Sequence, residues 1–485
     1  MSNWPETYPH VICTCLKRLN INSTENSAGI HRRKTKTLFR PTPLHSWRRG
    51  GTSLTQMKAA KLGQITKEMQ IVAKDEEESP ENLCRRVANG TVIITRNVRR
   101  EEAHPLGIGQ GLRTKVNTNI GTSLDMCDLN LELEKARVAI KCGTDTVMDL
   151  STAGNLDEIR RTILKAVKVP IGTVPIYQAA IEAAKKRGAI VHMTEDDIFN
   201  TIEKQAKDGV DFMTVHCGVT QQIVKRVAKH PRLTGIVSRG GTFLAAWILQ
   251  QGRENPLYAS YDYLLEMAQE YDFALSLGDG LRPGCIFDAT DWPQVQELYV
   301  LGELVERARA ADVQAMVEGP GHVPLNQIEP NVQLEKSVCK GAPFYVLGPV
   351  VTEVAPGYDH IVGAIGGAVA GLAGADFLCY LTPSEHLGLP SLEDVKEGVI
   401  ATKIAAQAVD IVKRGSKASS RDLAMARARA NLDWKKQLDL ALDPEKAKKI
   451  RSRVKLRSPN TCSMCSEYCA IKILKEALKA EAQCL

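Results

Sequence analysis

The sequence predicts an α/β protein built on a (β/α)8 barrel of the TIM type, followed by a helical region and a cysteine-bearing tail. Three observations predict it. From about residue 115 to residue 386, short apolar runs alternate with helix-like stretches. Continuous apolar runs of this length suit strands covered on both faces, as in a parallel sheet. The unusual side chains then fall at the carboxyl end of each run, and in a barrel those ends share one rim, where barrel enzymes do their chemistry. A doubly wound open sheet is the structural alternative.

Residues 1–56 come first. They lack an apolar period, are rich in Ser, Thr, Pro and Arg, and hold nine lysines and arginines against two glutamates. The net charge of +7 therefore lies in this tail, and the remaining chain balances to zero. That argues against a basic nucleic-acid surface on the folded body. The tail is a disordered or non-native extension preceding a start near Met57, or an organelle transit peptide of the same composition. Its Cys13-x-Cys15 is too isolated to be a metal site. Residues 57–110 form an accessory region. Its "GIGQGLR" (107–113) precedes a strand, so it is not a dinucleotide loop.

Residues 111–390 carry the barrel. The runs are "TKVNTNIG" (114–121), "DTVMDLST" (145–152), "IGTVPIY" (171–177), "DFMTVHCG" (211–218), "GIVSRGG" (235–241), "FALSLGDG" (273–280), "VQAMVEGPGH" (313–322), "PFYVLGPV" (343–350) and "ADFLCYLTPSEH" (375–386). Nine runs are one too many, so one is a loop or an accessory strand. "YASYDYLLEMAQEY" (258–271) has helical spacing. "IVGAIGGAVAGLAGA" (361–375) stops at Asp376 after fifteen residues, too short for a bilayer, and reads as a buried helix whose small face admits a neighbour. Residues 391–455 are amphipathic and charged, with "DPEKA" as a helix start: Asp443 caps and Pro444 takes the first turn. "KLRSPNT" (455–461) is a linker into the tail, 456–485.

No apolar run spans a membrane. Thirteen cysteines are scattered. Cys84, Cys127, Cys142, Cys217, Cys285, Cys339 and Cys379 stand singly, as small core residues in a reducing cytoplasm would.

Several rim motifs suit chemistry, each with a plainer reading beside it. "SRGG" (238–241) brings backbone amides and the forked guanidinium of Arg239 to an anion, or is a tight turn. "DGLRPG" (279–284) supplies a carboxylate and a guanidinium, or a local ion pair. "EGPGH" and "TPSEH" place His322 and His386 past two strands. Two neutral imidazoles on one rim can hold a divalent metal, or both are merely hydrogen-bonded.

"TCSMCSEYC" places Cys462, Cys465 and Cys469 in a C-x2-C-x3-C spacing. Three thiolates can hold three corners of a [4Fe–4S] cluster and leave the fourth iron open to a small molecule, as in S-adenosylmethionine radical chemistry. A structural zinc site wants four ligands, and Cys484 lies fifteen residues beyond Cys469.

Together "CSMC", "VSRGG", "GDGLRPGC", "VEGPGHVPL", "GAPFYVLGP", "APGYDHI" and "TPSEHLGLP" resemble the ThiC family of thiamine biosynthesis, the phosphomethylpyrimidine synthases, from about Thr55 to Lys472. The resemblance implies a (β/α)8 barrel in a homodimer whose cluster segment reaches the partner's barrel. It implies a radical S-adenosylmethionine lyase that converts 5-aminoimidazole ribonucleotide to 4-amino-5-hydroxymethyl-2-methylpyrimidine phosphate, formate and carbon monoxide. Electrons would come from a flavodoxin- or ferredoxin-type donor. The residues implied to bind substrate are Asn119, Met148, Tyr177, His216, Ser238, Arg239, Gly240, Asp279, Gly280, Leu281, Arg282, Glu318 and Tyr345. Those implied to hold zinc or another divalent metal such as iron are His322 and His386. Cys462, Cys465 and Cys469 are implied to hold the [4Fe–4S] cluster. The family's familiar cysteine spacing is C-x2-C-x4-C, one residue longer than here. A paralogue using the same substrate makes 5-hydroxybenzimidazole for cobamides, and this is the alternative product. Neither nucleic acid nor membrane is an implied partner.

Overall fold

The computed structural model describes residues 54–456 and 460–484. The expectations for residues 1–53, including Cys13 and Cys15, lie outside the described residues, as do residues 457–459 of the linker. Three short helices, Gln56–Lys61, Lys67–Asp75 and Pro80–Ala88, open the described chain. Thr55, Thr66 and Ser79 cap them, each side chain accepting a backbone N–H of the first turn. Strands β1 (Val92–Thr95) and β2 (Leu106–Gly109) then pair antiparallel.

Eight parallel strands follow and close on themselves. They are β3 (Lys115–Ile120), β4 (Thr146–Asp149), β5 (Ile171–Thr173), β6 (Phe212–Val215), β7 (Ala274–Leu277), β8 (Ala315–Gly319), β9 (Phe344–Leu347) and β10 (Phe377–Cys379). β10 pairs with both β9 and β3, which closes the barrel and removes the open-sheet alternative. Phe212 and Phe377, on opposite walls, meet edge to face at 6.3 Å between centroids. The interior is thus filled by side chains, as closure of eight strands requires.

The surplus run is 235–241, which is not a strand. Ser238 caps the helix Arg239–Gln251, accepting from Gly241 N at 3.2 Å. Only Ile236 and Val237 there are apolar and large, and Val237 is exposed. The glycines that follow belong to a helical first turn.

The accessory region packs on the amino-terminal face of the barrel, with a cavity between them lined by Glu76, His104, Arg113, Asp145 and Pro170. Gln314, just before β8, bonds Ile94 N at 2.6 Å and Ile94 O at 3.0 Å. Asp211, just before β6, accepts Asn97 N at 3.0 Å and pairs with buried Arg100. Lys115 opens β3 fully buried, 2.9 Å from Glu76. The carboxyl ends of the strands form the opposite face.

Helix Tyr261–Tyr271 stands where its spacing placed it. Helix Asp359–Ala373 is only half as expected. Its small face is buried: a Cβ on Gly366 would meet Pro349 O at 2.0 Å, and one on Gly371 would meet Val409 at 2.8 Å. Its large residues Ile361, Ile365 and Leu372 are exposed instead, because the glycine face already occupies the contact with the barrel and with helix Leu392–Arg414. That longer helix starts at a capping box of Ser391 and Asp394. Helices Ser416–Ala430, Trp434–Asp439 and Pro444–Arg451 follow, the last capped by Asp443 with Pro444 in its first turn. Among the described side chains every cysteine is free, and Cys84, Cys217, Cys285, Cys339 and Cys379 are buried. No helix among the described residues is long and apolar enough to cross a membrane.

Candidate active site at the carboxyl face of the barrel

One cavity opens at the carboxyl ends of the strands. Asn119, Met148, Tyr177, His216, Asp279, Arg282, Glu318 and Tyr345 all line it. They come from seven strands, β3 to β9, or the loops just after them, with Asp279 and Arg282 both following β7. Parallel register in a closed barrel aims strand ends at one axis, which is why side chains so far apart in sequence converge.

The charged part of the cavity is a carboxylate–guanidinium–carboxylate group. Arg282 Nη1 lies 3.1 Å from Asp279 Oδ1. Glu318 Oε1 accepts from Thr214 Oγ1 at 2.6 Å and Ser276 Oγ at 2.7 Å. Burial raises the Glu318 carboxyl above its ordinary range. Burial also pushes Asp279 up to about 7, against the pull of Arg282 and with the push of Glu318. Asp279 Oδ2 is buried with no protein partner. A buried acceptor left open in a cavity marks a place for a ligand donor.

The polar wall is built from β3 and β9. Asn117 Nδ2 bonds Tyr345 Oη at 2.7 Å and Asn119 Oδ1 at 2.8 Å. Asn119 Nδ2 in turn lies 3.2 Å from Cys379 Sγ. Apolar Leu150, Val174, Val346 and Leu347 complete the lining.

The SRGG segment stands against this cavity rather than in its lining. Ser238 Oγ is 3.2 Å from His216 Nε2, and the Arg239 guanidinium lies 4.9 Å from the Tyr177 ring centroid. Gly240 is required by closeness: a Cβ there would sit 2.2 Å from His216 Cε1. Gly241 packs as tightly on Gly280, where a Cβ would meet the carbonyl oxygen at 2.0 Å. Leu281 has its side chain fully buried, so it can offer a ligand only its backbone. Burial, followed by the nearby charge of Arg282, pushes His216 down to about 3. Its imidazole is therefore neutral, and its NMR ring resonances are expected to stay flat from pH 5 to pH 8, the range over which an ordinary histidine titrates. A sigmoidal shift there would contradict the buried geometry.

His322 and His386 meet edge to face, with centroids 5.5 Å apart. His322 Nδ1 is 3.1 Å from Glu353 Oε1, and His386 Nδ1 is 2.7 Å from Asp359 Oδ1. Carboxylates on both Nδ1 atoms select the tautomer whose Nε2 lone pairs are available, the usual support of a metal-binding imidazole. The donor set thus fits a divalent cation with two protein ligands. Among the described residues, no three His, Cys, Asp or Glu side chains are arranged as a complete metal cage.

The three tail cysteines are half-buried and none lines the cavity. They flank the short turn Ser466–Tyr468, where Ser466 N donates to Cys462 O at 2.8 Å and Tyr468 N to Cys465 O at 2.8 Å. The backbone amides of Cys465 and Met464 hold the Cys462 thiol below its ordinary range. The charges of Cys462 and Cys469 push Cys465 up. A cluster of thiols that repel as anions, with amide hydrogen bonds to Cys462, suits the thiolate ligands of an iron–sulfur cluster.

Sequence reasoning missed the supports. Asn117 and Thr214 lie two positions before Asn119 and His216, on the same strand face. That period-two spacing was a usable signal. Ser276, Glu353 and Cys379 gave none, because nothing local marks a hydroxyl, a carboxylate or a thiol as another residue's partner.

Residues 55–476 match the Radical SAM ThiC family. The phosphomethylpyrimidine synthase of Methanocaldococcus jannaschii is 58% identical over 423 residues, covering 87% of this chain and 99% of that protein. The phosphomethylpyrimidine synthase of Desulforudis audaxviator is 59% identical over 425 residues, covering 88% and 98%. Phosphomethylpyrimidine synthase 2 of Methanothermobacter thermautotrophicus is 57% identical over 423 residues, covering 87% and 100%.

Proposed function

This chain belongs to the Radical SAM ThiC family, and from that premise we propose that its barrel converts 5-aminoimidazole ribonucleotide to 4-amino-5-hydroxymethyl-2-methylpyrimidine phosphate, with formate and carbon monoxide. It is an enzyme of the radical S-adenosylmethionine type, a chemistry that rests on an iron–sulfur cluster. The observation that carries the substrate assignment is the cavity where eight side chains from the ends of β3 to β9 converge, two carboxyls and a guanidinium among them.

The protein's own part is binding and orientation. Arg282, with Arg239 and the amides at the start of helix Arg239–Gln251, supplies positive potential for the phosphate. Asp279 and Glu318, both shifted toward the neutral form, can accept from or donate to the ribose hydroxyls and the ring amine. Asn119 and Tyr345 hold one edge of the ligand, and neutral His216 with Ser238 another. Met148, Leu150 and Leu347 keep water from the reacting carbon.

Cys462, Cys465 and Cys469 would hold the [4Fe–4S] cluster, which when bound supplies the electron that splits the sulfonium of S-adenosylmethionine. His322 and His386 would hold zinc or ferrous iron, adding a positive charge at the rim. The donor of electrons would be a small flavodoxin or ferredoxin, and a homodimer in the cytoplasm would bring the tail of one chain to the mouth of the other.

Two measurements test this. Anaerobically reconstituted protein, given the ribonucleotide, S-adenosylmethionine and a reductant, should yield a phosphorylated pyrimidine by mass. An unphosphorylated benzimidazole would overturn the reading. His386→Ala protein should lose its divalent metal while keeping its full cluster iron and sulfide. Unchanged metal content would remove the imidazole pair from the assignment.

A further inference from the structure

The turn Asp279–Arg282 carries two of the three charged groups of the cavity, yet its backbone is not fixed by the barrel alone. It is held from two sides by groups that do not line the cavity. On one side, Leu281 N donates to Glu297 Oε2 at 2.7 Å, and Glu297 is 2% exposed. On the other side, Arg232 Nη1 donates to the carbonyl oxygen of Arg282 at 3.2 Å. Arg232 is itself locked in a two-pronged pair with Asp291, both contacts 2.6 Å, and its side chain is 3% exposed.

Both supports trace to one rigid element. Asp291 caps the helix Trp292–Ala310, and Glu297 lies on its second turn. Arg232 lies in the loop that leads into the SRGG helix. That loop is tied down again by Asp288, which accepts Leu233 N and Thr234 N at 3.0 Å each. The helix therefore registers the DGLR turn and the SRGG segment against each other. Their backbones leave no slack, since a Cβ on Gly280 would lie 3.2 Å from both Glu297 Oε1 and Gly241 Cα.

We propose that Arg232 and Glu297 are positioning residues, which fix the Asp279–Arg282 turn and so place the Arg282 guanidinium and the Asp279 carboxyl against the ribonucleotide. The proposal rests on the reading of this cavity as the ribonucleotide site. Neither residue lines the cavity itself, and neither follows from the strand-end pattern.

The surroundings of Glu297 favour the neutral carboxylic acid. Burial, and beyond it the charge of Asp279, drives its carboxyl well above the ordinary range. Its Oε1 is buried without a partner. Glutamine matches that state, with an oxygen for Leu281 N and no charge. Leucine keeps the volume and removes the acceptor. For Arg232, methionine keeps most of the stem and removes the donor.

The test is calorimetric binding of 5-aminoimidazole ribonucleotide to the full chain without its cluster. KM and kcat of the reconstituted enzyme and the thermal melt accompany it. E297Q should bind like the wild type, within about twofold. E297L and R232M should bind about tenfold more weakly or worse, the effect of losing a hydrogen bond that holds a charged group in place. KM should rise in proportion, while kcat at saturation and cluster iron per chain stay close to wild type. A merely structural role predicts a lowered melt with affinity and KM unchanged, and that outcome overturns the proposal. Should either variant fail to melt cooperatively, D291N keeps the helix cap and weakens only the Arg232 pair. It should show a smaller loss of affinity, and wild-type affinity there would overturn the proposal equally. Wild-type protein that melts normally yet binds no ribonucleotide would sink the functional reading instead.

Discussion

Cys465→Ala protein is expected to make no pyrimidine at all and to hold no complete cluster, while its barrel melts as the wild type does. Ligand number decides the outcome. A [4Fe–4S] cluster with one open iron needs three thiolates, and the tail supplies three. The substitution is also unusually clean. The amide of residue 465, which supports the Cys462 sulfur, survives in alanine. So does the carbonyl that accepts Tyr468 N at 2.8 Å. Only the sulfur is lost. Cys462, favoured as a thiolate by its amides, is the natural first ligand for incoming iron, and metal uptake should therefore fall as pH is lowered. Iron and sulfide per chain, visible absorption and product mass read the result. Wild-type turnover by the variant would remove the cysteine triplet from the chemistry.

The barrel was legible because a parallel strand buried on both faces must be a continuous apolar run, and such runs were plain from Val116 to Leu378. The run that proved to be the surplus one, 235–241, looked like a strand because two β-branched residues stand beside glycines; the capping role of Ser238 decides for helix. Helix Asp359–Ala373 shows a subtler limit. Its composition marked it as apolar, but composition cannot say that glycines face inward and isoleucines outward. Packing decides that, through the close approach of Pro349 and Val409. At the candidate site, strand-end position was enough to point at Asn119, His216 and Glu318. Asn117, two positions before Asn119 on the same strand, was within reach of period-two reasoning, but that Thr214 and Ser276 hold Glu318 was not readable, because those bonds join strands far apart in sequence. The tie from Arg232 to Arg282 spans 50 residues and is visible only once the chain is folded.

Asp279→Asn should do two opposite things: make the folded protein more stable above neutral pH and remove its affinity for the ribonucleotide. The usual Asp carboxyl loses its proton near 3.8, whereas in the fold it keeps it up to about 7. Between those values the folded chain binds a proton that the unfolded chain does not. The contribution of this group to stability is thus constant below pH 4, falls as pH rises to 7, and is lowest above 7. At pH 8 the ionised carboxyl costs at most about 4 kcal/mol, the free energy of a three-unit displacement. Asparagine has no such cost, and Arg282, a quarter exposed, can turn its freed face to water. Glu335 and Asp272, which are also pushed to about 8, titrate nearby, so the informative quantity is the difference between variant and wild type across pH. The same carboxyl has a buried oxygen that no protein group satisfies. If a ligand hydroxyl or amine fills it, binding should weaken about a hundredfold or more in the variant. A variant that is less stable than wild type at pH 8, or that binds the ribonucleotide as tightly, would mean that Asp279 serves the fold. The pairing of gained stability with lost binding is what distinguishes a residue kept strained for a ligand from one kept for packing.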